Sequence, residues 1–194
     1  MAGAAPEVRG AAFLEPLRHV RDVAGREALD DIVADAGPAV RAIFASPIRK
    51  LSWYPYDAYA AFLEAVDRHL GSGDGEYGRT LGGSAGQRDL GTVFRIYAAI
   101  ASPERLIRAS TKIWDGYHRN AGRMWAAGWE PTRTVLRIDD FPAMSRVHCR
   151  LMEGWMIATM ASIGCIVEPD SRETTCVHDG GAFHEFSARW TRGR

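Results

Sequence analysis

One long apolar segment limits what this chain can fold into more than any other feature of its sequence. Residues 141–165 predict a single helix, because Val147, Leu151 and Ala158 recur at helical spacing and large apolar side chains fill the other sides of its second half. A helix that is apolar nearly all round is either a membrane span or the centre of a folded core. Polar side chains at positions 146, 148, 150 and 153 leave too few consecutive apolar residues for the about 20 that a membrane span requires. The segment is therefore predicted to be a buried core helix.

Composition and charge exclude two classes of partner. Hydrophobic residues make up 46% of the chain and charged residues 25%, which is typical of a globular protein. The 24 basic and 24 acidic side chains cancel, so no net charge attracts nucleic acid or an anionic membrane surface. We therefore expect no nucleic-acid partner and no membrane span.

The cysteines and the first residues indicate the compartment. The three cysteines are an odd number without paired spacing, and the first nine residues lack the apolar segment of a secretory signal. Both observations are typical of a protein that stays in a reducing environment. The sequence therefore predicts a cytoplasmic protein.

The first part of the chain is predicted to be mainly helical. Ser102, Pro103 and Glu104 form a helix start, with a capping hydroxyl, a proline at the first helical position and an acid near the positive helix end. Glycine-rich segments 71–75 and 82–86 predict loops. A short strand is expected at 10–14, and apolar periodicity predicts helices at 16–24, 26–36, 38–45, 56–70, 87–101 and 103–117.

After Asn120 the apolar period changes from helical to alternating, which indicates strands. Asp139 and Asp140 are expected to cap the central helix, and Asp179-Gly180-Gly181 predicts a hairpin turn. Strands are predicted at 122–129, 132–138, 172–178 and 183–190. The chain is therefore predicted to be one α+β domain, 1–194. A mainly helical part, 1–119, packs with a ββαββ part, 120–194, which has an antiparallel sheet and one central buried helix.

Short motifs along the chain resemble known families. Gly10-Ala-Ala-Phe-Leu, Trp53-Tyr54-Pro55 and the stretch from Pro103-Glu104 to Trp114 resemble a myxobacterial domain family of unknown function. The closing third resembles the superfamily of 4-vinyl-reductase domains, TRAPP vesicle-tethering subunits and haem-NO-binding domains. Its matching pieces are Asp139-Asp140-Phe141-Pro142, Gly154, Cys176 with Asp179-Gly180, and residues 186–190. The resemblance implies a non-enzymatic domain that holds an apolar ligand or a partner protein, commonly as a homodimer.

The chain also departs from these families. Many 4-vinyl-reductase domains carry a second cysteine after the hairpin turn, where this chain has Phe183 or a neighbour. Haem-NO-binding domains carry a tyrosine-serine-arginine arrangement for the haem propionates, and the sequence contains no convincing copy. We therefore expect no resident cofactor, with haem and zinc as the lesser alternatives.

Aromatic and methionine residues are the candidates for a ligand pocket. Aromatic side chains with polar tips line apolar pockets and protein interfaces, and the flexible methionine side chain suits adaptable apolar contact. Ordinary core filling is the competing interpretation. The candidate pocket residues are Trp53, Trp114, Tyr117, Cys149, Met152 and Met156.

Cys176, His178 and His184 are the weak candidates for a metal site, because thiolate and imidazole suit zinc and a hairpin can bring them together. If Cys176 pairs with His184 across the turn, all three share one face. If Cys176 pairs with Glu185, His184 points to the opposite side. The competing interpretation is a half-buried cysteine with two polar strand residues.

Two single residues allow other functions. His118 could ligate haem iron through a neutral imidazole, or it could simply be favourable at a helix end. Ser84 lies in a Gly-x-Ser-x-Gly pattern, which in hydrolases follows a strand and exposes a nucleophilic serine. The sequence therefore favours a non-enzymatic regulatory or sensory domain that binds an apolar small ligand or a protein partner. The alternatives are a haem or tetrapyrrole sensor and, less favoured, a hydrolase that uses Ser84.

Overall fold

The computed structural model describes residues 4–92 and 102–192. Its first part is mainly helical and contains one small sheet. The elements of that part are β1 (Glu7–Arg9), α1 (Gly10–Asp35), α2 (Pro38–Phe44), β2 (Trp53–Pro55), α3 (Tyr56–Leu70), α4 (Tyr77–Thr92), α5 (Pro103–Arg108), α6 (Ser110–Tyr117) and β3 (His118–Arg119). The second part contains β4 (Arg123–Glu130), β5 (Arg133–Asp139), α7 (Arg146–Ser162), β6 (Cys165–Val167), β7 (Arg172–Thr175) and β8 (His184–Arg192).

Two antiparallel sheets organise these elements. The small sheet has the order β2-β1-β3, so it ties the start of the chain to the segments before α3 and after α6. The large sheet has the order β4-β5-β8-β6, and β7 also pairs with β8. In β5 and β8 buried and half-buried side chains alternate, with Leu136, Ile138 and Phe186 on the buried face. The predicted α+β fold class, a helical first part followed by a sheet with one buried helix, is confirmed.

Helix α7 is the predicted core helix, although it is shorter than residues 141–165. Ser145 caps it, because the Ser145 hydroxyl accepts a hydrogen bond of 3.3 Å from the backbone N–H of His148. The prediction that Asp139 and Asp140 cap this helix is wrong. Asp139 instead accepts a hydrogen bond of 2.6 Å from the indole of Trp125, and Asp140 has a left-handed backbone.

Helices α4 and α7 approach each other at the distance of backbone contact. Gly78, Gly82 and Gly86 lie one turn apart on α4, and a Cβ atom at any of these positions would stand less than 3.0 Å from atoms of α7. Gly154 of α7 faces the carbonyl of Arg79 in the same way, because a Cβ atom at this position would overlap the α4 backbone. The prediction of a loop at 82–86 is therefore wrong, because these glycines serve the approach of two helix backbones.

A buried ion-pair network joins the same two helices. Glu153 of α7 is 4% exposed, and its carboxylate accepts hydrogen bonds of 2.5 Å from Arg79 of α4 and 3.3 Å from Arg150. A buried carboxylate needs such partners because an unpaired buried charge is costly. The glycines allow α4 and α7 to approach closely, and these ion pairs fix the register of one helix against the other.

The remaining differences from the sequence prediction lie in the first part of the chain. The predicted strand at 10–14 is wrong, because the strand ends at Arg9 and α1 begins at Gly10. The predicted break near position 25 is confirmed, since Gly25 interrupts α1 with a φ of 86°. The start at Ser102 is also confirmed, and its hydroxyl accepts from the N–H of Arg105. Part of the predicted helix at 87–101 lies outside the described residues.

In the described part of the chain, no helix combines the length and the apolar character that crossing a lipid bilayer demands.

Two neighbouring glycines of α4 test the helix contact. Gly82→Ala should lower the free energy of unfolding by about 1–3 kcal/mol, because its methyl group meets the α7 backbone. Gly83→Ala is the matched control, since nothing lies within 4 Å of its Cβ position, and it should raise the free energy of unfolding by about 0.5–1 kcal/mol. Urea titrations of both variants measure this. Equal effects would contradict the close contact.

Candidate functional site

An apolar cavity of about 110 Å³, partly open to the surface, lies between the helices of the first part and the large sheet. The first turn of α1, helices α5 and α6, strand β5 and helix α7 all contribute to its wall. Its principal lining residues are Trp114, Tyr117, His118, Leu136, His148, Met152, Met156 and Thr159.

Helix α7 supplies the longest side of the cavity. His148, Met152, Met156 and Thr159 follow one another at steps of four, four and three residues, so they lie along a single stripe of the helix. Strand β5 supplies Thr134 and Leu136 among the remaining lining residues, which lie two positions apart and therefore share a face. The same core helix that organises the fold thus forms one wall of the cavity.

His118 is the most distinctive polar group in the wall. Its ring stacks on the indole of Trp114 with 3.8 Å between ring centroids, and neither ring nitrogen has a hydrogen-bond partner among the described residues. Burial lowers the pKa of His118 to about 3, and the nearby carbonyl of Trp114 opposes this only in part. His118 is therefore neutral at physiological pH. A neutral ring carries no net charge for the helix end to stabilise, and the helix-end interpretation of His118 stays a prediction.

His148 is the second imidazole in the wall, and its orientation is fixed. The Tyr56 hydroxyl accepts a hydrogen bond of 3.0 Å from the N–H of Ser145 and lies 2.9 Å from Nδ1 of His148. The hydroxyl and Nδ1 therefore share one hydrogen bond, and the tautomer of the imidazole decides which of them donates. Burial holds the pKa of His148 well below its usual range, and the neighbouring His118 and His184 act in the same direction.

Two other polar atoms in the cavity wall also lack a hydrogen-bond partner among the described residues. The Thr159 hydroxyl and one carboxylate oxygen of Glu15 are buried and lack a partner in the described chain, while the other oxygen of Glu15 lies 2.9 Å from Arg18. Among the described residues that line the cavity, Glu15 is the only carboxylate and there is no lysine or arginine. The cavity is therefore apolar, with a few polar groups that no protein atom satisfies.

The structure brings four of the six predicted pocket residues to the cavity, namely Trp114, Tyr117, Met152 and Met156. Trp53 is not one of them, because it lies on the small sheet, where the guanidinium groups of Arg9 and Arg119 are 4.3 and 4.7 Å from its ring centroid. Cys149 is not one either, because it points to the other side of α7 and contacts Cys176.

The predicted metal candidates separate into a pair and an outlier. Thr175 pairs with Glu185 in the sheet, so Cys176 and His184 come together, with 3.7 Å between the sulfur and Nδ1. Cys149 and Glu173 join them. His178 lies in a short 3-10 turn instead, where its Nε2 is 2.7 Å from the carbonyl oxygen of Met144. His178 therefore does not belong to this cluster.

Ser84 lies inside α4 rather than at a turn that follows a strand. A nucleophile elbow exposes its serine on a strained strand-to-helix turn. The described structure around Ser84 does not have this geometry, so the hydrolase interpretation loses its basis.

Sequence reasoning missed His148, Thr159 and Glu173 as members of the cavity or the cluster. His148 and Thr159 could have been found, because they continue the helical stripe of Met152 and Met156. Glu173 could not, because its place beside His184 depends on a strand register with an irregularity between Glu173 and Thr175.

Comparison with known proteins shows the fold. No family model and no curated protein sequence matches the chain. An H-NOX protein from S. oneidensis in the Fe(II)NO ligation state has a TM-score of 0.73 at 12% identity, over 95% of this chain and 99% of that chain. The Fe(II) unliganded H-NOX protein from K. algicida has a TM-score of 0.71 at 14% identity, over 95% and 97%. The H-NOX domain from Shewanella oneidensis in the Fe(II)CO ligation state has a TM-score of 0.66 at 11% identity, over 94% and 98%.

These neighbours correct the cofactor prediction. These three structures were solved in Fe(II) ligation states, so the expectation of a domain without a cofactor is wrong for this fold. They also support the haem-NO-binding part of the resemblance. The myxobacterial, 4-vinyl-reductase and TRAPP parts stay predictions.

The burial of His118 predicts a pH dependence of stability. An unfolded histidine takes up a proton near pH 6.5 but folded His118 only near pH 3, so acid favours the unfolded chain. Between about pH 7.5 and about pH 5 this one group should reduce the free energy of unfolding by about 2 kcal/mol. The His118→Gln variant should therefore lose about 2 kcal/mol less free energy of unfolding than the wild type between these two pH values. Urea titrations at both pH values measure the difference, and equal losses in the two proteins would contradict a buried neutral His118.

Proposed function

We propose that the cavity binds a haem-type tetrapyrrole and that the domain senses a small gas molecule. The observation that carries the proposal is the neutral imidazole of His118, which is buried in an apolar wall without a partner for either nitrogen among the described residues. Iron in haem proteins is commonly held by such an imidazole. The fold shared with H-NOX proteins supports the same class of ligand.

The kinds of residue in the cavity wall suit an iron ligand and an apolar macrocycle. The wall is made of aromatic, methionine and aliphatic side chains, which suit a flat apolar ring system. His118 and His148 have ring centroids 5.3 Å apart and planes only 30° apart, so a macrocycle does not fit between them. At most one of the two therefore ligates the iron, and we assign that role to His118 because neither of its ring nitrogens has a partner among the described residues, whereas Tyr56 contacts Nδ1 of His148.

The described residues of the cavity wall offer no basic partner to the carboxylate groups of haem. No lysine or arginine is among the described lining residues, and Glu15 would repel a carboxylate. This agrees with the missing tyrosine-serine-arginine arrangement in the sequence. Binding therefore draws its affinity from apolar contact and from His118. A porphyrin whose propionates are esterified should bind at least as tightly as the free diacid.

The chain's own residues prepare the site for such a group. When bound, haem supplies an iron atom that takes a small gas molecule as a ligand. Burial keeps His118 unprotonated, so its lone pair is available, and the stacked Trp114 restricts the tilt of the ring. Because the wall is mostly apolar, it offers few hydrogen-bond partners to water. The Tyr56 hydroxyl holds the His148 ring in one orientation through its contact with Nδ1.

The size of the cavity sets a condition on binding. About 110 Å³ is below the roughly 300–1,000 Å³ of ordinary small-molecule pockets, so a tetrapyrrole requires the walls to separate. Met152 and Met156 have the flexible side chains that such a change needs. Movement of α7 against the short helices α5 and α6 would change the surface that the domain offers to a partner protein or a second copy. The predicted homodimer remains a part of this proposal.

The same volume favours a second candidate function. A small apolar molecule with one polar group fits the cavity without movement of the walls, and the unpartnered atoms of His118 and Thr159 would bind that group. This is the apolar-ligand function that the sequence favoured. It predicts that small aromatic alcohols raise the melting temperature of the haem-free chain.

Titration of the haem-free chain with haem tests the main proposal. The wild-type chain should bind one equivalent and shift the Soret band, and the reduced complex should respond to CO. Changes around a metal ligand already cost about 10- to 100-fold in affinity. His118→Ala should therefore lose at least that much, and added imidazole should restore the band.

Two further variants make the result specific. His69→Ala changes an exposed histidine that pairs with Asp35 far from the cavity, and it should bind haem like the wild type. If His148→Ala abolishes the band while His118→Ala retains it, the assignment of the iron ligand is overturned. A wild-type chain that leaves the Soret band of free haem unchanged would overturn the proposed function.

A further inference from the structure

Four potential metal ligands meet on the side of α7 that faces away from the cavity. Cys149 comes from α7, Glu173 from β7, Cys176 from the residue after β7 and His184 from the start of β8. Their donor atoms all lie within 4.8 Å of one another. Three of the four residues are buried, and the Glu173 side chain is only 2% exposed. Four separate positions along the chain thus direct sulfur, nitrogen and oxygen atoms at one point.

The spacing of these atoms matches a tetrahedral site. A tetrahedral ion with bonds of about 2.0–2.3 Å holds its ligand atoms about 3.3–3.8 Å apart. Nδ1 of His184 lies 3.4 Å from the sulfur of Cys149, 3.7 Å from the sulfur of Cys176 and 3.3 Å from Oε1 of Glu173. The two sulfur atoms are 4.0 Å apart. Little movement is needed to place one ion at equal distance from all four.

The surrounding contacts orient two of the ligands. Nε2 of His184 lies 3.4 Å from the carbonyl oxygen of Phe141, so the ring proton belongs on Nε2 and the lone pair of Nδ1 points into the cluster. Oε2 of Glu173 lies 3.3 Å from the guanidinium of Arg150, which leaves Oε1 for the cluster. Partners of this kind are what fix the tautomer and direction of ligands in metal sites.

We propose that Cys149, Glu173, Cys176 and His184 bind one divalent metal ion of the zinc class. Two sulfurs, one imidazole and one carboxylate suit zinc, and hard cations such as magnesium prefer oxygen alone. The protein fills all four positions, so the ion has a structural role. It ties α7 to β7 and β8. Each thiol gives up its proton to solvent when the ion binds, so binding releases two protons and weakens as the pH falls.

The metal content of the haem-free full-length chain tests the proposal. After purification with zinc and exhaustive dialysis, the wild type should retain one equivalent of zinc by elemental analysis. Cobalt in place of zinc should give the visible bands of a tetrahedral ion and the near-ultraviolet bands of cobalt–thiolate bonds. Cys176→Ser should lose the retained equivalent and the thiolate bands.

Two matched controls separate the cluster from other thiols and imidazoles. Cys165→Ser changes the third buried cysteine, which lies on β6 outside the cluster, and it should keep one equivalent of zinc. His178→Gln should keep it as well, because His178 contacts Met144 instead. Loss of zinc from Cys165→Ser as from Cys176→Ser would overturn the assignment.

Measurements on the wild type keep the test decisive if Cys176→Ser does not fold. Zinc should protect two of the three cysteines from alkylation, and mass spectrometry should place the protected pair at Cys149 and Cys176. A chelator should lower the melting temperature, and zinc should restore it. A wild-type chain that retains no zinc and no cobalt would overturn the proposal. The result is independent of haem, since all of these measurements use haem-free protein.

Discussion

The contact between the backbones of α4 and α7 is the constraint on which the rest of the structure depends. Gly78, Gly82 and Gly86 present no side chain to α7, and atoms of α7 occupy the space that their Cβ atoms would need. With α4 so close on one side and the large sheet on the other, α7 has little surface left for water. Its apolar character on nearly all sides is a consequence of this burial, and Glu153 is tolerated there only because Arg79 and Arg150 surround it.

The parts of the fold that local sequence determines could be predicted. The core helix, the start at Ser102, the break at Gly25 and the alternation in β5 all follow from apolar period or from capping chemistry within a few residues. The helix through Gly82–Gly86 could not be predicted in the same way. Glycine disfavours a helix when only the local chain is considered, and the compensating contact comes from α7, about seventy positions later in the sequence. The caps assigned to Asp139 and Asp140 failed for a related reason, because Trp125 on the neighbouring strand takes up Asp139.

The candidate site could likewise be predicted only in part. Trp114, Tyr117, Met152 and Met156 were identified from side-chain type, and the structure places them around one cavity. Side-chain type did not distinguish them from Trp53 and Cys149, because exposure and direction depend on the strand and helix that carry a residue. For His118, too, the sequence shows the position of the residue but not its surroundings. Its position at the end of α6 is evident in the sequence, but its loss of charge depends on burial by Trp114 and its neighbours. The H-NOX proteins share the fold of this chain, and the described residues of its cavity wall include no lysine or arginine.

His148 and Cys149 are successive residues of α7, and they face the two different sites. Adjacent residues of an α-helix point about 100° apart around its axis. A small rotation of α7 about its axis therefore swings the imidazole in the cavity and the thiol in the cluster through the same angle. The rotation of α7 about its axis therefore affects both sites. A contact that fixes the position of the Cys149 thiol also fixes the direction in which the His148 ring points into the cavity.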